Sequence, residues 1–379
     1  MVFDGRGAGL LRSRSDLDED DVRVRAGRGS RPRTRRRPLH EGAAEAFVVT
    51  VDRGRYGALI EDGDAADSAG DPAGGGRMVT AMKARELGRN SVVVGDRVAL
   101  AGDTSGAPGT LARIVRVEER TSVLRRSADD ADPLERIIVA NADQMVIVCA
   151  LADPVPRLRF VDRCLVAAYD AGLDPLLVLT KADLASPRRV RAFYRPLGLP
   201  MISTRRPQPA QTTTRLRRAL DGRISVLIGQ SGVGKSTLVN ELVPEAGRAV
   251  GAVNPVTGRG RHTSSSAVAL PLPPLPARKR RGSDSDDRDS DDRGPDGRGT
   301  GDPGWLIDTP GVRGFGLGHV SVERVAEAFG DLAEGTADCP PGCNHLSEDC
   351  ALDEWAREHG AEARLDSLRR LLRSRDTTD

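Results

Sequence analysis

Residues Gly229 to Ser236 read Gly-Gln-Ser-Gly-Val-Gly-Lys-Ser, and no other segment of the 379-residue chain restricts its fold so tightly. The pattern requires a strand that turns abruptly into a helix. The apolar run Ile224-Ser225-Val226-Leu227-Ile228 leads in, and Thr237-Leu238-Val239-Asn240-Glu241-Leu242 continues with helical spacing. Glycines let successive backbone N–H groups converge on phosphate oxygens without a Cβ in the way. The helix that follows turns its positive end toward the same anion. Gly229, Gln230, Ser231, Gly232, Val233 and Gly234 form the expected cradle. Lys235 neutralises the β- and γ-phosphates, the Ser236 hydroxyl ligates Mg2+, and Thr237 extends the site into the first helical turn. The ligand this chemistry implies is a nucleoside triphosphate.

The base is expected to be guanine. Thr180-Lys181-Ala182-Asp183 follows the apolar strand Leu176-Leu177-Val178-Leu179. Asp183 accepts from a ring N–H and an exocyclic amine, two donors that adenine does not present together, while the Lys181 stem lies along the base plane. Thr180 stands where asparagine is usual. Its hydroxyl retains a bond to the phosphate loop, but one donor is lost. Ser203, after Pro200-Met201-Ile202, is the second expected base contact. Asp308-Thr309-Pro310-Gly311 follows Trp305-Leu306-Ile307. Asp308 there holds Mg2+ through water, and the Gly311 N–H reaches the γ-phosphate. Between these motifs, Gly258-Arg259-Gly260-Arg261-His262-Thr263-Ser264-Ser265 has the position of a switch segment, with Thr263 as a further Mg2+ ligand. Base recognition precedes the phosphate loop, the reverse of the ordinary GTPase order. The parts are circularly permuted, which close-lying domain termini allow.

Hydrolysis needs a positioned water. The stretch Gly311-Val312-Arg313-Gly314-Phe315 offers no glutamine for it. Slow unassisted turnover follows, and His262 is the candidate catalytic residue that orients water once its segment is ordered. The alternative is a surface histidine without a role.

Cys339, Cys343, His345 and Cys350 supply three thiolates and an imidazole, a closed four-ligand set for one structural Zn2+. The other two cysteines, Cys149 and Cys164, lie in apolar patterns. A disulfide framework is not expected, and a cytoplasmic location is. The net charge is only +2, and no apolar run is long enough to span a membrane.

Four regions follow. Residues 1–42 are a disordered basic tail, whose arginine run either contacts RNA phosphates or is simply solvated. Residues 43–128 read as a small β-barrel with short strands at 46–51, 56–60, 92–94, 97–100 and 112–117 and an extended loop at 63–77. Residues 129–320 alternate strand and helix as a doubly wound α/β domain, with strands at 145–150, 175–180, 200–203, 224–228, about 267–272 and 304–308. A disordered insertion at 273–303 interrupts it. Residues 321–379 carry the cysteine cluster and helical patterns at 351–358 and 361–374. Arg364, Arg369, Arg370 and Arg373 give the last of these a basic face, either RNA-facing or solvated.

In this order, Val94-Gly95-Asp96-Arg97-Val98, Ala140-Asn141-Ala142-Asp143-Gln144, the phosphate loop, Gly-Arg-Gly-Arg-His-Thr, Asp-Thr-Pro-Gly and the Cys/His cluster resemble the circularly permuted bacterial GTPases of the RsgA/YjeQ type over about residues 44–375. The resemblance implies a multidomain fold: an N-terminal OB-type barrel facing ribosomal RNA, a central permuted α/β P-loop GTPase and a C-terminal α-helical zinc-binding module. It implies a GTP/GDP-binding monomer that matures the small ribosomal subunit through its rRNA, with no membrane or DNA partner. A nucleotide-binding RNA chaperone with incidental hydrolysis is the other function class. In that family each outer gap of the zinc cluster is usually one residue longer.

Overall fold

The computed structural model describes residues 42–61, 76–88, 92–126, 136–207, 210–244, 267–275, 304–310, 317, 320–347 and 350–375. Residues 1–41 of the expected basic tail, most of the 63–77 loop, His262, Thr263, Gly311 and nearly all of the 273–303 insertion lie outside them.

The barrel is built from β1 (Ala44–Asp52), β2 (Arg55–Glu61), β3 (Gly76–Lys83), β4 (Arg97–Gly102) and β5 (Ala112–Val117). It closes in the order β1-β2-β3-β5-β4-β1, with β3 and β5 parallel and the other pairs antiparallel. Period-two alternation points Ala46, Val48, Ala58, Ile60, Val79, Ala81, Leu100 and Ile114 inward. The third strand is Gly76–Lys83, not Val92–Val94 as expected. Val92, Val93 and Val94 are buried, but among the described residues they make only an isolated bridge from Val94 to Val139. Their backbone is taken up by the Gly95-Asp96 turn, whose N–H and carbonyl bond to Val48. Strand β3 was hard to read because its inward residues are small while its outward ones include Met78 and Met82.

Strand β1 is buried on both faces. Its other face sends Phe47 and Val49 into a second core, where Phe47 packs on Trp305 with ring centroids 5.0 Å apart. A hairpin of β6 (Val123–Arg126) and β7 (Arg136–Ala140) then leads into the α/β layer. That layer is β8 (Gln144–Ala150), β9 (Asp174–Thr180), β10 (Met201–Ser203), β11 (Ile224–Ile228), β12 (Val268–Pro271) and β13 (Trp305–Asp308). The order is β10-β9-β8-β11-β13-β12, parallel except for β12, and β12 pairs onward with β1 at Thr50↔Val268. One 11-stranded sheet thus runs from the α/β layer into the barrel.

Helices α1 (Leu158–Asp170), α2 (Arg188–Tyr194), α3 (Ala210–Leu220) and α4 (Lys235–Leu242) connect the strands. The C-terminal helices are α5 (Val322–Glu327), α6 (Gly330–Ala333), α7 (Leu352–His359) and α8 (Glu362–Arg375). Helix α8 buries Leu365, Leu368, Leu371 and Leu372 in the core that holds Phe160, Val161 and Leu165 of α1. Of the four arginines on the basic face expected for it, Arg364, Arg369 and Arg370 are held by contacts within the chain, while Arg373 is exposed. Arg369 makes a bidentate pair with Asp353 at 2.7 Å, and Arg370 Nε donates to the buried Asp162 at 3.2 Å. Arg364 donates to the Pro196 carbonyl at 2.9 Å and pairs with Asp331. Such pairs form because the arginine stems lie along the same apolar seam as the leucines, which brings their heads to neighbouring acids and carbonyls. No helix among the described residues is long and apolar enough to cross a membrane.

Candidate nucleotide site and metal centre

Five parallel strands end at one edge. Ala150 pairs with Thr180, Leu179 with Ser203, Ile228 with Ile147, and Leu227 with Asp308. The base motif, the phosphate loop and Asp308 therefore emerge together at the carboxyl ends, where open α/β sheets bind ligands.

The loop after β11 turns through Gly232 at φ 78° and Gly234 at φ 98°, a backbone that side chains resist. A Cβ on Gly229 would lie 2.7 Å from the Val148 carbonyl oxygen, so the loop can seat on β8 only with glycine there. Lys235 is 9% exposed, and its Nζ donates to the carbonyls of Gly229 at 2.5 Å and Gln230 at 3.0 Å. Burial lowers its pKa, partly opposed by Asp308. Burial raises the Asp308 carboxyl, partly opposed by Lys235. Asp308 Oδ1 is buried without a hydrogen-bond partner, a donor set that suits a hydrated Mg2+. Thr309, beside it, is anchored by donating to the Leu227 carbonyl at 2.6 Å.

Thr180 Oγ1 donates to the Val233 carbonyl at 2.6 Å and so ties the base motif to the phosphate loop. Lys181 takes a left-handed backbone, φ 58°, and its Nζ donates to the Asp153 carbonyl. Asp183 Oδ1 accepts the Arg206 backbone N–H at 3.1 Å, and Ser203 Oγ accepts from Arg191 at 3.1 Å. Sequence reasoning did not single out Asp153, Arg191 or Arg206. They come from three different loops and helices, and no local pattern marks them. Ser231 is exposed on the loop, Ser236 is exposed in the first turn of α4, and Thr237 follows it there.

In the C-terminal region, Cys339, Cys343, His345 and Cys350 bring all four candidate ligand atoms within 4.8 Å of one another. Cys339 Sγ lies 3.7 Å from Cys350 Sγ and 3.7 Å from His345 Nδ1, and Cys350 Sγ lies 3.6 Å from that nitrogen. Zn–S bonds of about 2.3 Å in a tetrahedron give edges of about 3.8 Å, so these spacings fit zinc. His345 has φ 58°, and its carbonyl accepts Arg369 Nε at 2.9 Å, fixing the loop to α8. Acidic and proline-rich flanks would otherwise give this loop little core.

A family model described as RsgA GTPase matches residues 117–274. The small ribosomal subunit biogenesis GTPase RsgA of Pseudomonas aeruginosa (strain LESB58) is 36% identical over 299 residues, covering 76% of this chain and 77% of that protein. The protein of the same name from Pseudomonas savastanoi pv. phaseolicola is 38% identical over 272 residues, covering 69% and 68%. Among solved structures, YjeQ from Thermotoga maritima matches with TM-score 0.55 at 23% identity, covering 88% of this chain and 98% of that one. YloQ, described as a circularly permuted GTPase, matches with TM-score 0.56 at 18% identity, covering 90% and 98%. These two structural likenesses concern the fold.

Proposed function

We propose that this chain, which belongs to the RsgA GTPase family, hydrolyses GTP to GDP and phosphate as a late maturation factor of the small ribosomal subunit, stimulated by that subunit. The observation that carries the reading is Lys235, buried at the start of α4 and electrostatically coupled to Asp308 at the end of β13, beside a loop that Thr180 ties to the base motif.

Lys235 is already desolvated, so its charge acts on phosphate oxygens with little screening by water. Gly229 to Thr237 cradle the phosphates. Lys181, Asp183 and Ser203 read guanine, with Thr180 orienting them through Val233. Mg2+, held by Ser236, Thr263 and Asp308, would neutralise charge on the β- and γ-phosphates. Gly311 is the γ-phosphate contact and His262 the residue that orients water. One Zn2+ held by Cys339, Cys343, His345 and Cys350 is structural, since four protein ligands leave no open position. The barrel is the rRNA-facing part, within a 43–128, 129–320 and 321–379 division. The protein acts in the cytoplasm as a monomer, without a DNA or membrane partner.

The test is GTP turnover with and without purified small subunits. Turnover is expected to be slow alone and to rise about 10³-fold, a gain of several kcal/mol in transition-state stabilisation. His262→Ala should cut the stimulated rate and spare GTP binding. A rate indifferent to subunits would overturn the proposal.

A further inference from the structure

The geometry points to Arg206 as a further nucleotide-positioning residue, bridging the base-reading and phosphate-binding halves of the site. This rests on the guanine-nucleotide reading above.

Two independent contacts place it there. Its backbone N–H donates to Asp183 Oδ1 at 3.1 Å. Its guanidinium donates to the Thr237 hydroxyl in the first turn of α4. Arg206 stands just beyond β10, and the chain there is pinned to β9 by Thr204, whose N–H bonds to Leu179 and whose carbonyl accepts the Ala182 N–H. Strand pairing thus fixes where the side chain starts, and α4 fixes where it ends.

The two ends have different consequences. The backbone N–H occupies one Asp183 oxygen and so orients the carboxylate that reads the base. The guanidinium sets a permanent positive charge beside the turn whose N–H groups face phosphate. That charge acts on the part of the ligand common to GDP and GTP. It therefore adds binding energy equally to both, without acting on the bond that breaks. Arg206→Ala removes only this second role, because the backbone N–H survives the substitution.

The experiment is calorimetric titration of the full-length, zinc-loaded protein with GDP and with a non-hydrolysable GTP analogue, for the parent, Arg206→Ala and Arg206→Lys. Melting temperatures without nucleotide and steady-state kinetics accompany it. Arg206→Ala should weaken both ligands by about fivefold to tenfold, as expected for a partly screened charge-assisted contact. KM should rise with kcat nearly unchanged, and the preference for GDP over ADP should be kept. Arg206→Lys should recover part of the affinity at low salt and lose it at high salt. Parent-like affinity in Arg206→Ala overturns the inference, even if that variant melts lower. An Arg206→Lys protein as weak as Arg206→Ala at low salt also overturns it. A parent that binds no guanine nucleotide defeats the underlying reading instead.

Discussion

Lys235 and Asp308 are two opposite charges that the fold desolvates side by side. A lysine assigned only to neutralising phosphates would be expected to cost function alone when removed. The structure gives another expectation, because Asp308 loses the charge that offsets its burial. Without nucleotide, Lys235→Met should melt below the parent near neutral pH, and Lys235→Met/Asp308→Asn should recover most of the loss. The pH sign is definite. A buried carboxyl with a raised pKa is neutral in both folded and unfolded chains at low pH. Its penalty appears as pH rises from the ordinary carboxylate range through the folded value. The deficit of Lys235→Met should therefore shrink on acidification, and thermal melts across pH check this. At Thr180, the hydroxyl spends its hydrogen on Val233. Thr180→Asn keeps an amide donor for Val233 and adds a second. GDP should bind about threefold to tenfold tighter by titration, the worth of one net hydrogen bond.

Among the elements, α8 shows how an apparently nucleic-acid-like sequence is used internally. Its leucines pack on α1, and its arginines reach α7, the zinc loop, α1 and the segment after α2. Arg370 also lies over the Phe193 ring at 4.2 Å. Arg369 matters most for metal retention, because it holds both Asp353 and the His345 carbonyl. Arg369→Ala should release zinc to a chromogenic chelator about tenfold to a hundredfold faster, as loss of an outer-shell support does. The fold itself should persist, since the buried leucines of α8 remain. Chelator kinetics indistinguishable from the parent would remove Arg369 from this role.

For the whole molecule, the joints are as informative as the modules. The barrel shares backbone hydrogen bonds with β12, and a second joint is made by Gly95, Asp96, Arg120 and Asn141. Asp96 is fully buried and accepts both Arg120 Nε at 2.7 Å and Nη2 at 2.8 Å. Asn141 donates to the Gly95 carbonyl at 2.8 Å. A Cβ on Gly95 would sit 2.0 Å from the Ala140 carbonyl oxygen, at φ +92°. Gly95→Ala should cost about 3 kcal/mol or more in denaturant unfolding, since neither backbone can yield without breaking the joint. Because one apolar core holds side chains from β1, the α/β layer and α8, stripping zinc should shift a single calorimetric transition rather than remove a separate one. Two resolved transitions would show that the modules melt independently.

The phosphate loop, the strand-end motifs, the permuted order and the four candidate zinc ligands are legible in the sequence alone. Each depends on residue types at fixed short spacings, and short spacing constrains local geometry directly. The α/β strands were legible because their apolar runs are continuous and bounded by turns. Strand β3 was not, because alternation with small inward residues leaves little contrast. Only the tertiary structure decided that Arg364, Arg369 and Arg370 are internal struts, and that Arg206 spans Asp183 and Thr237. It alone joined β1 to β12. These contacts lie between residues far apart in the chain, where a charge reads the same whether it faces solvent or a buried acid. Which of the two it meets is set by how helices and strands pack, and one sequence carries no local trace of that.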